Sequence, residues 1–376
     1  MNIIEQPIPI TRPYMPEQER FLSFAKSLWD TRWLTHGGPL VQRLEKELQN
    51  KLGIANLVVF ANGHLALDSA FKAMGLCDGE AITTPFTYLS TSHAMTMNGL
   101  KPVYCDVKES DCTIDETKIE GLITEKTKAI VPVHVYGFPC NTKAIQKIAD
   151  KHGLKVIYDA AHVFGVKVDG KGIAGFGDAS MLSFHATKVF HTVEGGAIAF
   201  RDADMRQRLI SAKNFGMVGP EQAESISFNA KMTEMHAAMG LANLEIFDWM
   251  IQKRKELILH YLKRLSGLSG IRLFSWDKPG VDYNYAYFPI IFEENTYGKS
   301  RDEVADLLEQ KYKILSRKYF YPLLSDLNCY RQEYNSADTP IAKRLSDAVL
   351  TLPLFVDLTH EQVDYICDAI AEIREA

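Results

Sequence analysis

Lys188 closes the stretch Ser183-Phe184-His185-Ala186-Thr187-Lys188, just past a short apolar run and just before Glu194-Gly195-Gly196. A lysine amine becomes a nucleophile when its surroundings lower its pKa, and condensation with an aldehyde, with loss of water, is a main use of that property. Lys188 is therefore the candidate in this chain for imine chemistry with a cofactor aldehyde. Most lysines are only solvated surface charges, so the reading depends on what stands around this one.

Asp159, in Asp159-Ala160-Ala161-His162, ends an apolar strand pattern. Open α/β sheets bind ligands at the carboxyl ends of their strands. A carboxylate there could keep a pyridine nitrogen protonated, because a nearby opposite charge favours the charged form. A protonated ring is what makes pyridoxal 5'-phosphate (PLP) an electron sink. An aspartate that merely caps the next turn is the other reading of the same residue. Asn62-Gly63-His64 follows the strand pattern LVVF and opens a helical one. Unpaired N–H groups at a helix start bind phosphate without basic side chains, although plain strand-turn-helix links look much the same. Tyr88, in Thr84-Pro85-Phe86-Thr87-Tyr88, could stack on a flat heterocycle or be half-buried core. The Ser183 hydroxyl could join a phosphate or satisfy a turn.

These residues need a scaffold that brings strand ends together. From Leu57 onward, LVVF, AITTP, PVYCDV, AIVPVHVYG, LKVIYDAAH, ASMLSF and GAIAF alternate with helical patterns. Such alternation predicts βαβ units and a mostly parallel sheet covered by helices, an α/β class. Residues 142–152 carry a polar cap at Asn141 and a closing Gly153, so start and stop signals agree with the period. After about Gly240 the pattern becomes a long helix, then a break at SGLSG, a strand in YAYFPIIF, a capping box at Ser300 and Glu303, a strand in ILSRKYF, and two more helices. The expected division is a large α/β domain over 1–245 and a smaller α+β domain over 246–376. The stripe Val363, Ile366, Ile370 and Ile373 is assigned to packing.

The 376 residues, 46% hydrophobic and 24% charged, are those of a globular protein able to bury a sizeable core. A net charge of -5 and the lack of a dense basic tract argue against nucleic acid as a partner. Without a signal-peptide segment or a bilayer-length apolar run, a cytoplasmic protein with no membrane partner is expected. The six cysteines form no CxxC pair, which argues against a zinc site and against a disulfide framework; no metal is expected, and the thiols read as reduced and mostly buried.

With the glycine turn, TPFTY, YDAAH, SFHATK and EGG in this order, the chain resembles the DegT/DnrJ/EryC1/StrS family of nucleotide-sugar aminotransferases. WLTHGGPLVQRLEKEL, NAKMTEMHAAMGLANL and LTLPLFVDLT extend the resemblance over nearly the whole length. It implies the fold-type I PLP-dependent transferase fold, a homodimer with shared active sites, and PLP bound through Lys188. It also implies Asp159 against the pyridine nitrogen, Tyr88 stacked on the ring and His162 on the 3-hydroxyl side. Gly63, His64 and Ser183 fall where the phosphate is held, and Asn229 where an asparagine reaches it from the neighbouring subunit. Trp33, Leu34 and Thr35, and the stretch Arg317 to Phe320 with Tyr319, fall near the sugar nucleotide; a packed hairpin and an ordinary strand are the other readings.

Two departures matter. His64 replaces a small hydroxyl residue, which removes that side chain as a phosphate ligand but leaves the backbone contacts. Lys188 argues against the dehydratase branch, which carries histidine there. SFHATKVF and EGGA look more like the enzymes that aminate carbon 4 of a 4-keto-6-deoxy hexose than those acting on carbon 3. The implied reaction is transfer of the amine of L-glutamate to a dTDP-linked sugar for surface polysaccharide (O-antigen). A 3-keto or GDP-linked sugar, or a PLP-binding regulator without turnover, is the alternative. A nicotinamide dehydrogenase fails on motif, since no G-x-G-x-x-G run follows an early strand with an acid beyond it.

Overall fold

The computed structural model describes residues 4–375. Its main sheet has seven strands: β1 (Leu57–Phe60), β2 (Glu80–Thr83), β3 (Lys101–Tyr104), β4 (Thr127–Ile130), β5 (Lys155–Asp159), β6 (Ala179–Ser183) and β7 (Gly196–Phe200). Their order across the sheet is β1-β7-β6-β5-β4-β2-β3. β7 alone runs against its neighbours β1 and β6, and the other pairings are parallel. Residues 57–60 and 196–200 are buried throughout, the mark of strands covered on both faces.

The helices of eight or more residues are α1 (Gln18–Ala25), α2 (Pro39–Leu52), α3 (Gly63–Ala73), α4 (Leu89–Met97), α5 (Thr142–His152), α6 (Met205–Ala212), α7 (Glu234–Leu265), α8 (Arg301–Gln310), α9 (Pro340–Ala348) and α10 (His360–Glu375). Their ends obey local chemistry. The Asn141 side chain accepts from the Ala144 amide and Gly153 closes α5 in the left-handed region. Ser300 and Glu303 form the reciprocal box at the start of α8. Thr359 and Gln362 exchange bonds at the start of α10, whose Val363, Ile366, Ile370 and Ile373 are all buried.

A second sheet is antiparallel, in the order β8 (Ile271–Leu273), β9 (Phe288–Phe292), β10 (Val349–Leu352). It shares one apolar cluster with α8, α9 and α10, and with Phe86, Val107 and Tyr136. α7 itself starts at Glu234 and runs unbroken through residues 245 and 246, and Ile8 bridges to Ile314. One expected strand is corrected. ILSRKYF makes only two isolated bridges, Ile8 to Ile314 and Arg317 to Thr351, and the chain turns at Tyr319 and Phe320. With no partner strand alongside both ends, β-branched composition alone does not make a ladder.

The run Gly170–Gly175 spells G-x-G-x-x-G but forms a short hairpin followed by a 3-10 turn. Gly172 abuts the Leu52 carbonyl, so the glycine serves close packing, not a dinucleotide. Among the cysteines, Cys105, Cys112, Cys140 and Cys367 are buried and Cys77 and Cys329 exposed, all free thiols. Among the described residues no helix is long and apolar enough to cross a membrane.

Candidate active site

The carboxyl ends of β1, β2, β5 and β6 open onto one cavity of about 580 Å³. Gly63, His64, Tyr88, Asp159, His162, Ser183, Lys188, Arg317 and Tyr319 all line it. They come from five separate stretches of the chain, so only the fold assembles them. Asn229, Trp33 and Thr35 do not line it. Asn229 and Trp33 are solvent-exposed, and the Trp33 indole donates to the Thr35 carbonyl.

Asp159 is held by backbone on both sides. Its amide donates to the Pro132 carbonyl and its carbonyl accepts from His134, both at 2.9 to 3.0 Å. Its side chain is buried; Oδ2 accepts from the Thr91 hydroxyl at 2.7 Å and Oδ1 from the Ala161 amide at 3.1 Å. Burial pushes this carboxyl above its ordinary range, while the two hydrogen bonds and the Lys188 charge pull it back. A buried acid in that condition is stabilised by a cation placed against it.

His162 is buried beside it. Its Nδ1 accepts from the Tyr136 amide at 3.1 Å, so the ring proton belongs on Nε2, which stands 3.4 Å from the Tyr319 hydroxyl. Burial, then the Lys188 and Arg317 charges, hold this imidazole well below its usual pKa, as a neutral donor. Burial also holds the Tyr319 phenol protonated, and the Arg317 guanidinium lies 4.4 Å from its ring centre.

One corner of the cavity lies at the start of α3. The Asn62 side chain caps it by accepting from the Leu65 amide at 2.9 Å, which leaves the Gly63 and His64 N–H groups outside the helical ladder. Space at Gly63 is tight: a Cβ there would meet Met181 Sδ at 3.0 Å and Ser183 Cβ at 3.2 Å. Gly196 is tighter still, since its Cβ would lie 2.5 Å from the Gly63 nitrogen. The His64 ring is engaged with the Ser90 hydroxyl at 2.8 Å. Tyr88 precedes α4 with half of its surface open.

The Lys188 amine donates to the Tyr287 hydroxyl at 3.2 Å. Tyr287 and Thr91 were not found by sequence reasoning. Thr91 left a signal, because Thr87 and Thr91 stand one helical turn apart and their hydroxyls bond at 2.9 Å behind Asp159. Tyr287 left none, being 99 residues from Lys188.

The DegT/DnrJ/EryC1/StrS aminotransferase family matches residues 16–371. The chain belongs to that family. It is 40% identical to dTDP-4-amino-4,6-dideoxy-D-glucose transaminase of Shigella dysenteriae, over 99% of this chain and 100% of that one. It is 41% identical to the Escherichia coli protein of the same name, over 96% of each. A solved structure of DesI in the presence of its TDP-sugar product superposes with a TM-score of 0.94 at 32% identity, covering 100% of this chain and 94% of that one. The fold is therefore the fold-type I transferase, and the protein is an aminotransferase.

Aminotransferases of the DegT/DnrJ/EryC1/StrS family depend on PLP, and the cavity fits that group. Asp159 is a buried carboxylate in want of a cation, the Gly63 and His64 amides are unpaired donors at a helix start, and Tyr88 offers an open ring face. The dehydrogenase reading is set aside by the same match.

Proposed function

We propose that this protein transfers the amino group of L-glutamate to carbon 4 of a nucleotide-linked 4-keto-6-deoxy hexose. The product would be dTDP-4-amino-4,6-dideoxyglucose, with 2-oxoglutarate released, for surface polysaccharide. The observation that carries this reading is the convergence of Lys188, Asp159, His162, Arg317 and Tyr319 on one cavity in a chain 40% identical, end to end, to a transaminase of that name.

PLP, when bound, supplies a protonated ring that draws electrons from the carbon losing its proton. Asp159 keeps a negative charge, buried and fixed by Thr91, against the ring nitrogen. The Gly63 and His64 amides and the Ser183 hydroxyl take the phosphate, and Tyr88 covers one face of the ring. Lys188 would carry the covalent attachment and, once freed, its Nζ would take the proton from the α carbon of glutamate in one half-reaction and deliver a proton to carbon 4 of the sugar in the other. His162 donates from Nε2 toward the cofactor's 3-oxygen. Arg317 and Tyr319 present a cation and a hydroxyl to the carboxylate of one substrate and the diphosphate or sugar of the other.

A homodimer completes the site in this reading. Asn229 of the partner subunit reaches the phosphate, and the Trp33 to Thr35 segment approaches the sugar. The exposure of Trp29, Trp33, Leu34, Phe215 and Ile226, each half or more open, supports a covered face.

The test is product analysis with L-glutamate and three acceptors: dTDP-linked 4-keto-6-deoxyglucose, a dTDP-linked 3-keto isomer, and a GDP-linked 4-keto sugar. Replacement of the ketone by an amine in the first, with stoichiometric 2-oxoglutarate, is expected. Turnover confined to either of the others would overturn the assignment of carbon or nucleotide.

A further inference from the structure

Lys188 sits in the loop between β6 and β7, where the chain has no regular structure to fix a long flexible side chain. Its amine makes one protein hydrogen bond among the described residues, to the Tyr287 hydroxyl at 3.2 Å. That hydroxyl comes from the other half of the molecule. Tyr287 immediately precedes β9, whose pairing with β10 fixes its height through Phe288 opposite Leu352.

The backbone that leads to Tyr287 is clamped from a third side. Arg254, buried on α7, donates to the Tyr285 carbonyl at 2.8 Å and to the Ala286 carbonyl at 2.6 Å. Among the described residues no carboxylate accepts from this guanidinium, which donates instead to two backbone oxygens just before Tyr287. The Tyr287 ring is wedged against His162, with centroids 4.6 Å apart, and Tyr319, at 5.5 Å. An aromatic ring so packed has few rotamers, and its hydroxyl is a fixed point.

We infer that Tyr287 is a positioning residue of the reaction, holding the Lys188 amine beside the site whenever that amine is not covalently engaged. It rests on the reading of Lys188 as the cofactor-bearing lysine. A phenol suits the task because its oxygen accepts from an ammonium and its O–H donates to a neutral amine. One residue can thus hold Lys188 in either protonation state. Preorganised placement of a reacting group is worth large factors in rate, and a lysine free to rotate into solvent forfeits part of it.

The test uses wild type, Tyr287→Phe and Lys188→Ala. Tyr287→Phe keeps the ring that packs on His162 and removes only the oxygen. PLP is added to each cofactor-free protein and the visible band that reports lysine-bound cofactor is followed in time. Band formation about ten-fold slower in Tyr287→Phe is expected, the rate equivalent of one lost hydrogen bond. At steady state kcat should fall by a similar factor with both KM values held within about two-fold, as for a group acting on the chemical step. The melting temperature should be unchanged, which a merely structural tyrosine would lower. Tyr287→Phe matching wild type in band formation and kcat overturns the inference. A wild-type protein that forms no Lys188-dependent band overturns instead the reading of Lys188 on which it rests.

Discussion

Asp159 concentrates the conflict between stability and function in a single side chain. Its folded-state pKa is raised by burial, so in the cofactor-free protein its stability contribution is full below the ordinary aspartate range. That contribution is lost as pH rises through the raised folded value, because the unfolded chain then binds fewer protons than the folded one. Asp159→Asn removes the buried charge and keeps an acceptor for the Ala161 amide, while Thr91 can turn its hydroxyl to Thr87. The cofactor-free variant should be more stable than wild type at neutral pH by ~1 kcal/mol, with the difference vanishing in acid. Its affinity for PLP should fall sharply. Denaturant titrations at two pH values check the first point, and an equal or lower stability at neutral pH would contradict it.

Lys188, Asp159, His162, Gly63 and Ser183 each sit at the end of a strand pattern, where type and position together carry the signal, and all five line the cavity. Tyr287 and Arg254 had no such signature. Their effect depends on how the second sheet docks, which a local pattern does not encode.

Among the elements, α2 and α7 share one buried carboxylate. Glu234, in the first turn of α7, accepts from the Leu40 amide at 2.8 Å and the Val41 amide at 2.9 Å, capping the start of α2. A single negative charge thereby faces the positive ends of two helices. The Glu234 amide also donates to the Leu34 carbonyl, which ties down the segment expected at the sugar. Gly38 is glycine because a Cβ would lie 2.7 Å from the Glu234 carboxyl carbon. Glu234→Gln sets an amide N–H against one of the two backbone donors and should cost ~2 kcal/mol. A shift of the urea midpoint measures it, and no shift would mean that solvent caps α2 instead. The element boundaries were readable where caps exist, as at Asn141 and Ser300. They were not readable at ILSRKYF, where the missing ingredient is a neighbouring strand, a property of the tertiary fold.

At the scale of the whole molecule, the chain's own fold leaves Asn229 outside the cavity. If each site borrows Asn229 of the partner subunit, two inactive variants can repair each other. Lys188→Ala and Asn229→Ala, mixed in equal amounts after dissociation, place an intact Lys188 opposite an intact Asn229 in one site of each mixed dimer. Random pairing then restores about one quarter of the wild-type activity. Activity that stays at the level of the separate variants would show that each protomer builds its site alone.

Lys188 is proposed to carry PLP and to move the protons by which the amine of glutamate passes to the cofactor. The visible spectrum of the purified protein with PLP, before and after L-glutamate, tests this most directly when wild type and Lys188→Ala are compared. A band in wild type that glutamate converts to the pyridoxamine form with release of 2-oxoglutarate is expected, with no conversion at a catalytic rate in Lys188→Ala. A wild-type band that glutamate leaves untouched, or a variant that turns over like wild type, would contradict it.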